Sequence, residues 1–177
     1  MADRLGGWIQ TYTGRRFWPM DPRAEDIDIV DIAHALSLKC RYGGHCSRFY
    51  SVAEHSVILA NYVEPKYMLW ALLHDAAEAY LADVPKPVKP HLVGWQEIEA
   101  GVMRAVCKKF NLHPVEPAEV KAADFAILAD EKEALMLDGE EWDLPPKLGV
   151  IINGWSPKNA EIMFMRTFSL LRWRAGY

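Results

Sequence analysis

The chain has 177 residues, with 20 Lys and Arg against 24 Asp and Glu, a formal charge of −4 and a pI near 5.9. That length suits one domain, in which roughly 70% of the unfolded surface is buried without metal or disulfide staples, and the mild acidity excludes a reader of nucleic-acid polymers, which needs basic residues gathered into a stripe. The longest apolar run, residues 67–73, falls far short of the ~20 residues of a membrane-spanning helix, the first ten residues lack the order of a secretory signal, and three cysteines without a CxxC pair read as reduced thiols, so a cytoplasmic protein is expected, in the host cytoplasm if the source is viral.

Residues 8–12 and 16–18 alternate apolar and polar side chains around Thr13-Gly14, which predicts a small hairpin. From residue 26 to 38 the apolar Ile27, Val30, Ile32, Ala33, Leu36 and Leu38 recur near helical spacing, with Asp21 or Asp26 as the cap. Gly43-Gly44 breaks the period inside a basic loop over 39–50. Helices are predicted over 52–63 and, after Glu64-Pro65, over 66–81, a stretch rich in Ala and Leu. Residues 83–90, Asp-Val-Pro-Lys-Pro-Val-Lys-Pro, form a stiff loop, because three prolines lack donors and force their neighbours to extend. Further helices follow over 95–110, 118–137 and 157–173, each apolar on one side. The expected fold is all-α, a single helical bundle over 1–177 with a small N-terminal β-hairpin. Residues 1–38 add the hairpin and first helix, 39–137 form the core, and 138–177 a closing loop and helix. Trp8, Phe17 and Trp18 are expected at the interface of a homo-oligomer, a dimer or higher.

Residues 72–78, Leu-Leu-His-Asp-Ala-Ala-Glu, set one imidazole and two carboxylates among apolar and small side chains. Dehydrated charges are costly unless a metal, an ion pair or several hydrogen bonds compensate them. On a regular helix His74 and Glu78 lie one turn apart on one face, and Asp75 points about 100° round from His74. His74 and Asp75 can then border one cation while Glu78 handles a proton beside it. A mononuclear hydrolytic site needs about three or four protein ligands and an open position. His55 shares its face with Val52, Ile58, Leu59 and Tyr62, and Asp124 shares its own with Val120, Ile127 and Leu128. Taken singly, an inward histidine is more often a hydrogen-bonded core residue and a mid-helix aspartate an ion-paired one. Four such groups on three apolar helices, two of them adjacent, point to a metal. His34, His45, His91 and His113 have no acidic neighbour at ligand spacing, so one ion is expected.

The order of these residues resembles that of the HD-domain metal-dependent phosphohydrolases: a histidine (His55), an adjacent His-Asp pair (His74-Asp75) and a distant aspartate (Asp124). Ala53-Glu54-His55-Ser56, the stretch from His74 to Glu78 and the proline loop bring the likeness nearer to bacterial 5′-deoxynucleotidases and phage dATP triphosphohydrolases, over roughly residues 39–137. The resemblance implies an HD-domain bundle and hydrolysis of a deoxynucleoside mono- or triphosphate, a small-molecule nucleotide substrate. It implies that His55, His74, Asp75 and Asp124 hold one divalent ion per subunit (Co, Mn, Zn or Mg), with Glu78 and Asp75 catalytic. By the same likeness Arg41 grips the phosphate, Tyr42 sits beside the base, Asp83 touches the sugar, Lys89 matches a family lysine, and Lys86, standing where the deoxynucleotidases tend to have threonine, favours extra phosphates. Gly44 occupies the place of a bulkier apolar residue in an adenine-selective relative, which leaves the base open. Two other readings share the site: a cyclic-nucleotide phosphodiesterase or alarmone hydrolase, against which the proline loop argues, and a non-catalytic nucleotide-binding regulator, which has no need of Glu78.

Overall fold

A computed structural model describes residues 3–174. Near the N-terminus β1 (Ile9–Gln10) and β2 (Arg16–Phe17) pair antiparallel, Ile9 opposite Phe17 and Gln10 opposite Arg16. Thr13, in the turn between them, donates its backbone N–H and its hydroxyl to the two oxygens of Asp31, at 2.7 and 3.0 Å, which ties the hairpin tip to the helix behind it. Phe17 is fully buried and stacks on Tyr80 with ring centroids 4.1 Å apart. It is therefore a core residue of this chain and not the subunit-contact residue expected, because the hairpin spends its one buried apolar side chain on docking to the helices.

Six α-helices follow among the described residues: α1 (Ile29–Leu38), α2 (Val52–Tyr62), α3 (Met68–Leu73), α4 (Trp95–Phe110), α5 (Ala118–Leu135) and α6 (Pro157–Arg174). The side chain of Asp28 caps α1 by accepting from the Val30 N–H. Asp26 belongs to a separate 3-10 turn (Ala24–Asp26), and Asp21 pairs with Arg4 and Arg23, so neither expected residue is the cap. Ser51 caps α2 by accepting from the Glu54 N–H, and α4 starts after Gly94 and stops at Asn111, both in the left-handed region. The proline loop carries only a 3-10 turn, Lys89–His91.

The expected helix over 66–81 is broken. A 3-10 turn (Pro65–Tyr67) leads into α3, which stops at Leu73, and a second 3-10 turn (Ala76–Ala79) begins after Asp75, whose φ of −97° and ψ of 13° lie outside the regular helix. The chain beyond the break is tied down from a distance: the Lys39 ammonium donates to the carbonyl of Glu78 and, at 3.2 Å, to that of Leu81. Those oxygens, in the last turn of the stretch where no following N–H reaches them, thus have a partner.

α2 lies at the centre, packed against α1, α3, α5 and α6, with Val52, Ala53, Val57, Leu59 and Ala60 buried in a cluster that also takes in Phe17, Leu72, Val106, Val120 and Phe164. The segment between α5 and α6 has no ladder of its own and hangs on two carboxylates. Asp130 accepts the N–H groups of Leu148, Gly149 and Val150 at 2.7 to 2.9 Å. Fully buried Glu54 accepts those of Asn153, Gly154 and Trp155. Cys40, Cys46 and Cys107 are free thiols, the first two with sulfurs 3.6 Å apart. Among the described residues no helix is long and apolar enough to cross a membrane.

Candidate metal centre

Three elements converge on one point. α2 supplies His55, fully buried. The chain just past α3 supplies His74 and Asp75, and α5 supplies Asp124 from a half-exposed position at the rim. His55 Nε2 and His74 Nε2 are 3.3 Å apart. Asp124 Oδ1 lies 3.0 Å from the first and 3.6 Å from the second, and Asp75 Oδ2 lies 4.0 and 3.2 Å from them. One ligand atom each of His55, His74 and Asp124 fall within 4.8 Å of one another. The end of regular helix at Leu73 lets Asp75 turn back to the ring of its neighbour.

The donor chemistry of this cluster fits a cation. His74 Nδ1 faces the Ala71 carbonyl at 2.8 Å and His55 Nδ1 faces Glu131 Oε1 at 2.7 Å. Each Nδ1 therefore carries the ring hydrogen, and each Nε2 presents a lone pair. Two lone pairs and two carboxylate oxygens facing one spot repel unless a positive charge sits among them. Two imidazole nitrogens with carboxylate oxygens suit several divalent first-row ions. Without an ion, protons take that part. Burial alone would lower the His74 pKa, yet the carboxylates of Asp75 and Asp124 hold it well above its usual value. Burial would raise Asp75, but the His74 ring keeps it down at about 2. Asp124 is likewise held far below the usual carboxylate range, since hydrogen bonds from His55 and His74 outweigh its desolvation.

Behind the histidines Glu131 is fully buried and divides its oxygens. Oε1 takes His55, and Oε2 takes Arg41 Nη2 at 3.1 Å and the Tyr42 hydroxyl. Arg41 also reaches Asp75 Oδ2 at 3.6 Å, and its buried Nε–H has no partner. The Tyr42 hydroxyl is thus committed to Glu131, with the ring 6.1 Å from that of Trp142. A base beside Tyr42 would meet the ring and not its polar end.

A cavity of about 300 Å³ opens from the cluster, lined by His74, Asp75, Glu78, Lys89, Glu116 and Asp124 among others. Glu78 is 6% exposed, its Oε2 has no hydrogen-bond partner, and its Oε1 stands 3.9 Å from Lys89 Nζ. Burial first, then the charges of Asp75 and Asp83, push its pKa up to about 9. Lys89 is shared with Glu99 at 2.8 Å. Of the residues expected to touch the substrate only Lys89 lines this cavity: Arg41 and Tyr42 are held behind it on Glu131, Asp83 is half-buried nearby with its pKa raised by burial, and Lys86 is exposed with its ammonium 5.3 Å from the Phe125 ring centroid. A larger cavity of about 890 Å³ lies between the N-terminal segment and α4, lined by Pro19, Met20, Ile98 and Arg104 among others, and contains none of these residues.

Three contributors escaped the sequence reading. Glu131 follows Asp124 by seven residues, two helical turns on the same face of α5, so an acidic pair at that spacing was the available signal. Glu116 precedes α5 and lines the cavity, its pKa raised by burial. Lys39 shapes the turn behind Asp75, and nothing local to either segment announces the pairing.

The fold and this cluster define a mostly helical protein with a candidate His/Asp metal centre. No family model matches the chain. It is 37% identical over 167 residues to the uncharacterized protein YfdR of Escherichia coli strain K12, an alignment covering 92% of this chain and 94% of that one. It is 35% identical over 144 residues to an uncharacterized protein of Rhodobacter capsulatus, covering 76% and 72% of the two chains. The chain belongs to the family of these two proteins.

Proposed function

We propose that this chain is an HD-type metal-dependent phosphohydrolase that removes phosphate from deoxynucleotides. The observation that carries the reading is the meeting of His55 Nε2, His74 Nε2 and Asp124 Oδ1 from three elements at 3.0 to 3.6 Å, with Asp75 Oδ2 3.2 Å from His74, beside a cavity that holds a buried carboxyl and a lysine. A divalent cation held by these four residues would supply Lewis acidity toward a water and a phosphoryl oxygen.

The remaining work falls to the chain's own side chains. Arg41, whose guanidinium stands 3.6 Å behind Asp75 of the cavity wall, would add positive charge beside the anion, and Lys89 brings a second positive charge to the wall itself. Charge stabilisation of this kind commonly supplies the largest share of catalysis at phosphorus. Glu78, with a pKa of about 9 in the ion-free protein, carries a proton at neutral pH. A carboxyl so placed beside the cluster would serve to pass a proton to or from the reacting oxygens.

The test is incubation of the purified protein with each deoxynucleoside mono- and triphosphate in Mn²⁺, Co²⁺, Zn²⁺ or Mg²⁺, with identification of the phosphate released. Orthophosphate marks a 5′-nucleotidase and tripolyphosphate a triphosphohydrolase. Absence of release from every substrate with all four ions would overturn the proposal.

A further inference from the structure

We infer that Glu131 is a positioning residue that couples the metal centre to the anion clamp, one carboxylate oxygen serving each. The inference rests on the proposed function for the nature of the anion, but its geometry is independent of it. Oε1 lies 2.7 Å from His55 Nδ1, and Oε2 receives Arg41 Nη2 at 3.1 Å together with the Tyr42 hydroxyl. Both oxygens are thereby used, in a side chain with no exposure at all. A buried carboxylate that filled space alone would be strongly destabilising.

Each half of the carboxylate does something different. At Oε1 it takes the hydrogen of His55 Nδ1, so the lone pair at Nε2 points to the cluster, the arrangement by which outer carboxylates orient metal-binding histidines. At Oε2 it holds the Arg41 guanidinium where another of its nitrogens comes within 3.6 Å of Asp75 Oδ2. The loop that carries Arg41 is shaped for this contact: Tyr42 adopts φ 57°, a left-handed conformation unfavourable for an aromatic residue, and from there its hydroxyl reaches Glu131. Three chain segments, α2, α5 and the turn Arg41–Gly44, thus meet on one side chain.

Glu131→Gln separates the two duties. Its amide oxygen can still accept from His55, but the amide nitrogen then faces the Arg41 guanidinium, donor against donor, and the clamp is released. Glu131→Ala removes both. Titration calorimetry of the ion-free protein with MnCl₂ reads the first duty, and titration of the Mn²⁺-loaded protein with orthophosphate reads the second. Expected are a loss of Mn²⁺ affinity of roughly 10- to 100-fold in Glu131→Ala, Mn²⁺ binding within about threefold of wild type in Glu131→Gln, and weakened orthophosphate binding in both. If Glu131→Ala does not fold, the near-isosteric Glu131→Gln decides alone, since a residue of purely structural importance would not lose phosphate while keeping Mn²⁺. The inference fails if Glu131→Gln binds orthophosphate as wild type does, or loses Mn²⁺ in equal measure. If the variants show this split while the wild-type protein hydrolyses no nucleotide, the proposed function is overturned and the coupling stands.

Discussion

His55 and His74, nineteen residues apart in sequence, turn their Nε2 atoms toward each other at 3.3 Å while each ring gives its Nδ1 hydrogen to a fixed acceptor. The folded chain keeps these two nitrogens and the carboxylate of Asp124 converged, and the unfolded chain has no such site. An ion that binds there therefore stabilises the fold by mass action, by about 2.7 kcal/mol at one hundred times its dissociation constant. Thermal unfolding with and without excess MnCl₂ should show a rise in Tm for the wild type and almost none for His74→Ala. An equal rise in both would place the ion elsewhere.

Glu78 and His74 are predicted to separate chemistry from binding. Glu78 lies in the adjoining cavity without touching the imidazoles, so Glu78→Gln should keep Mn²⁺ content within about twofold. A positioned acid contributes ~10² to 10⁴ in rate, so the same variant should lose turnover on that scale. His74→Ala should lose both ion and turnover. Metal analysis of the two purified variants beside their phosphate release checks this, and loss of the ion from Glu78→Gln would make Glu78 a ligand.

The same carboxyl sets a pH dependence of stability. Its folded pKa of about 9 lies above the ordinary value, so between roughly pH 4.5 and pH 9 the folded chain holds a proton that the unfolded chain has released. Stability of the ion-free wild type then falls as pH rises, by at most about 1.4 kcal/mol per pH unit from this group. Glu78→Gln has no proton to lose. Urea denaturation at pH 5, 6, 7 and 8 should show the variant gaining on the wild type at each step, and parallel curves would mean that Glu78 is ionised in the folded state.

How far the sequence discloses this arrangement depends on where the determining signal lies. α4 begins at Trp95 and ends at Phe110 as its pattern predicts, because its apolar stripe and the residues that bound it, Gly94 before and Asn111 after, are local. The break at Asp75 leaves no mark in the Ala- and Leu-rich pattern of residues 66–81, and the ammonium that binds the carbonyls of Glu78 and Leu81 beyond it belongs to distant Lys39. His55, His74 and Asp124 stand out as polar groups within apolar runs, and the structure brings them together. Glu131 does not stand out, because an acid next to Asp130 and Lys132 reads as a surface charge. The orientation of Arg41 depends on a positive φ at Tyr42, a conformation that tyrosine as a residue type does not suggest.

The segment that hangs on Glu54 offers a test of how tightly the centre is enclosed, since Glu54 adjoins His55 on α2. Gly154 has φ 71°, and a Cβ there would lie 3.0 Å from Arg48 Nε and 3.2 Å from the Phe49 carbonyl oxygen. Gly149 has φ 76° but open space around the corresponding position. Both substitutions to alanine bear the cost of a left-handed conformation, about 1–2 kcal/mol. Only Gly154→Ala must also displace Arg48, whose Nη2 donates to the Ile152 carbonyl at 2.9 Å, and press on rigid backbone. Urea denaturation should therefore rank Gly154→Ala below Gly149→Ala by a further ~1 kcal/mol or more, the cost of overpacking. Because the displaced backbone carries the N–H groups that Glu54 accepts, Gly154→Ala should also weaken Mn²⁺ binding where Gly149→Ala does not. Equal stabilities for the two variants would mean that the loop yields freely and that its contact with α2 does little to hold His55 in place.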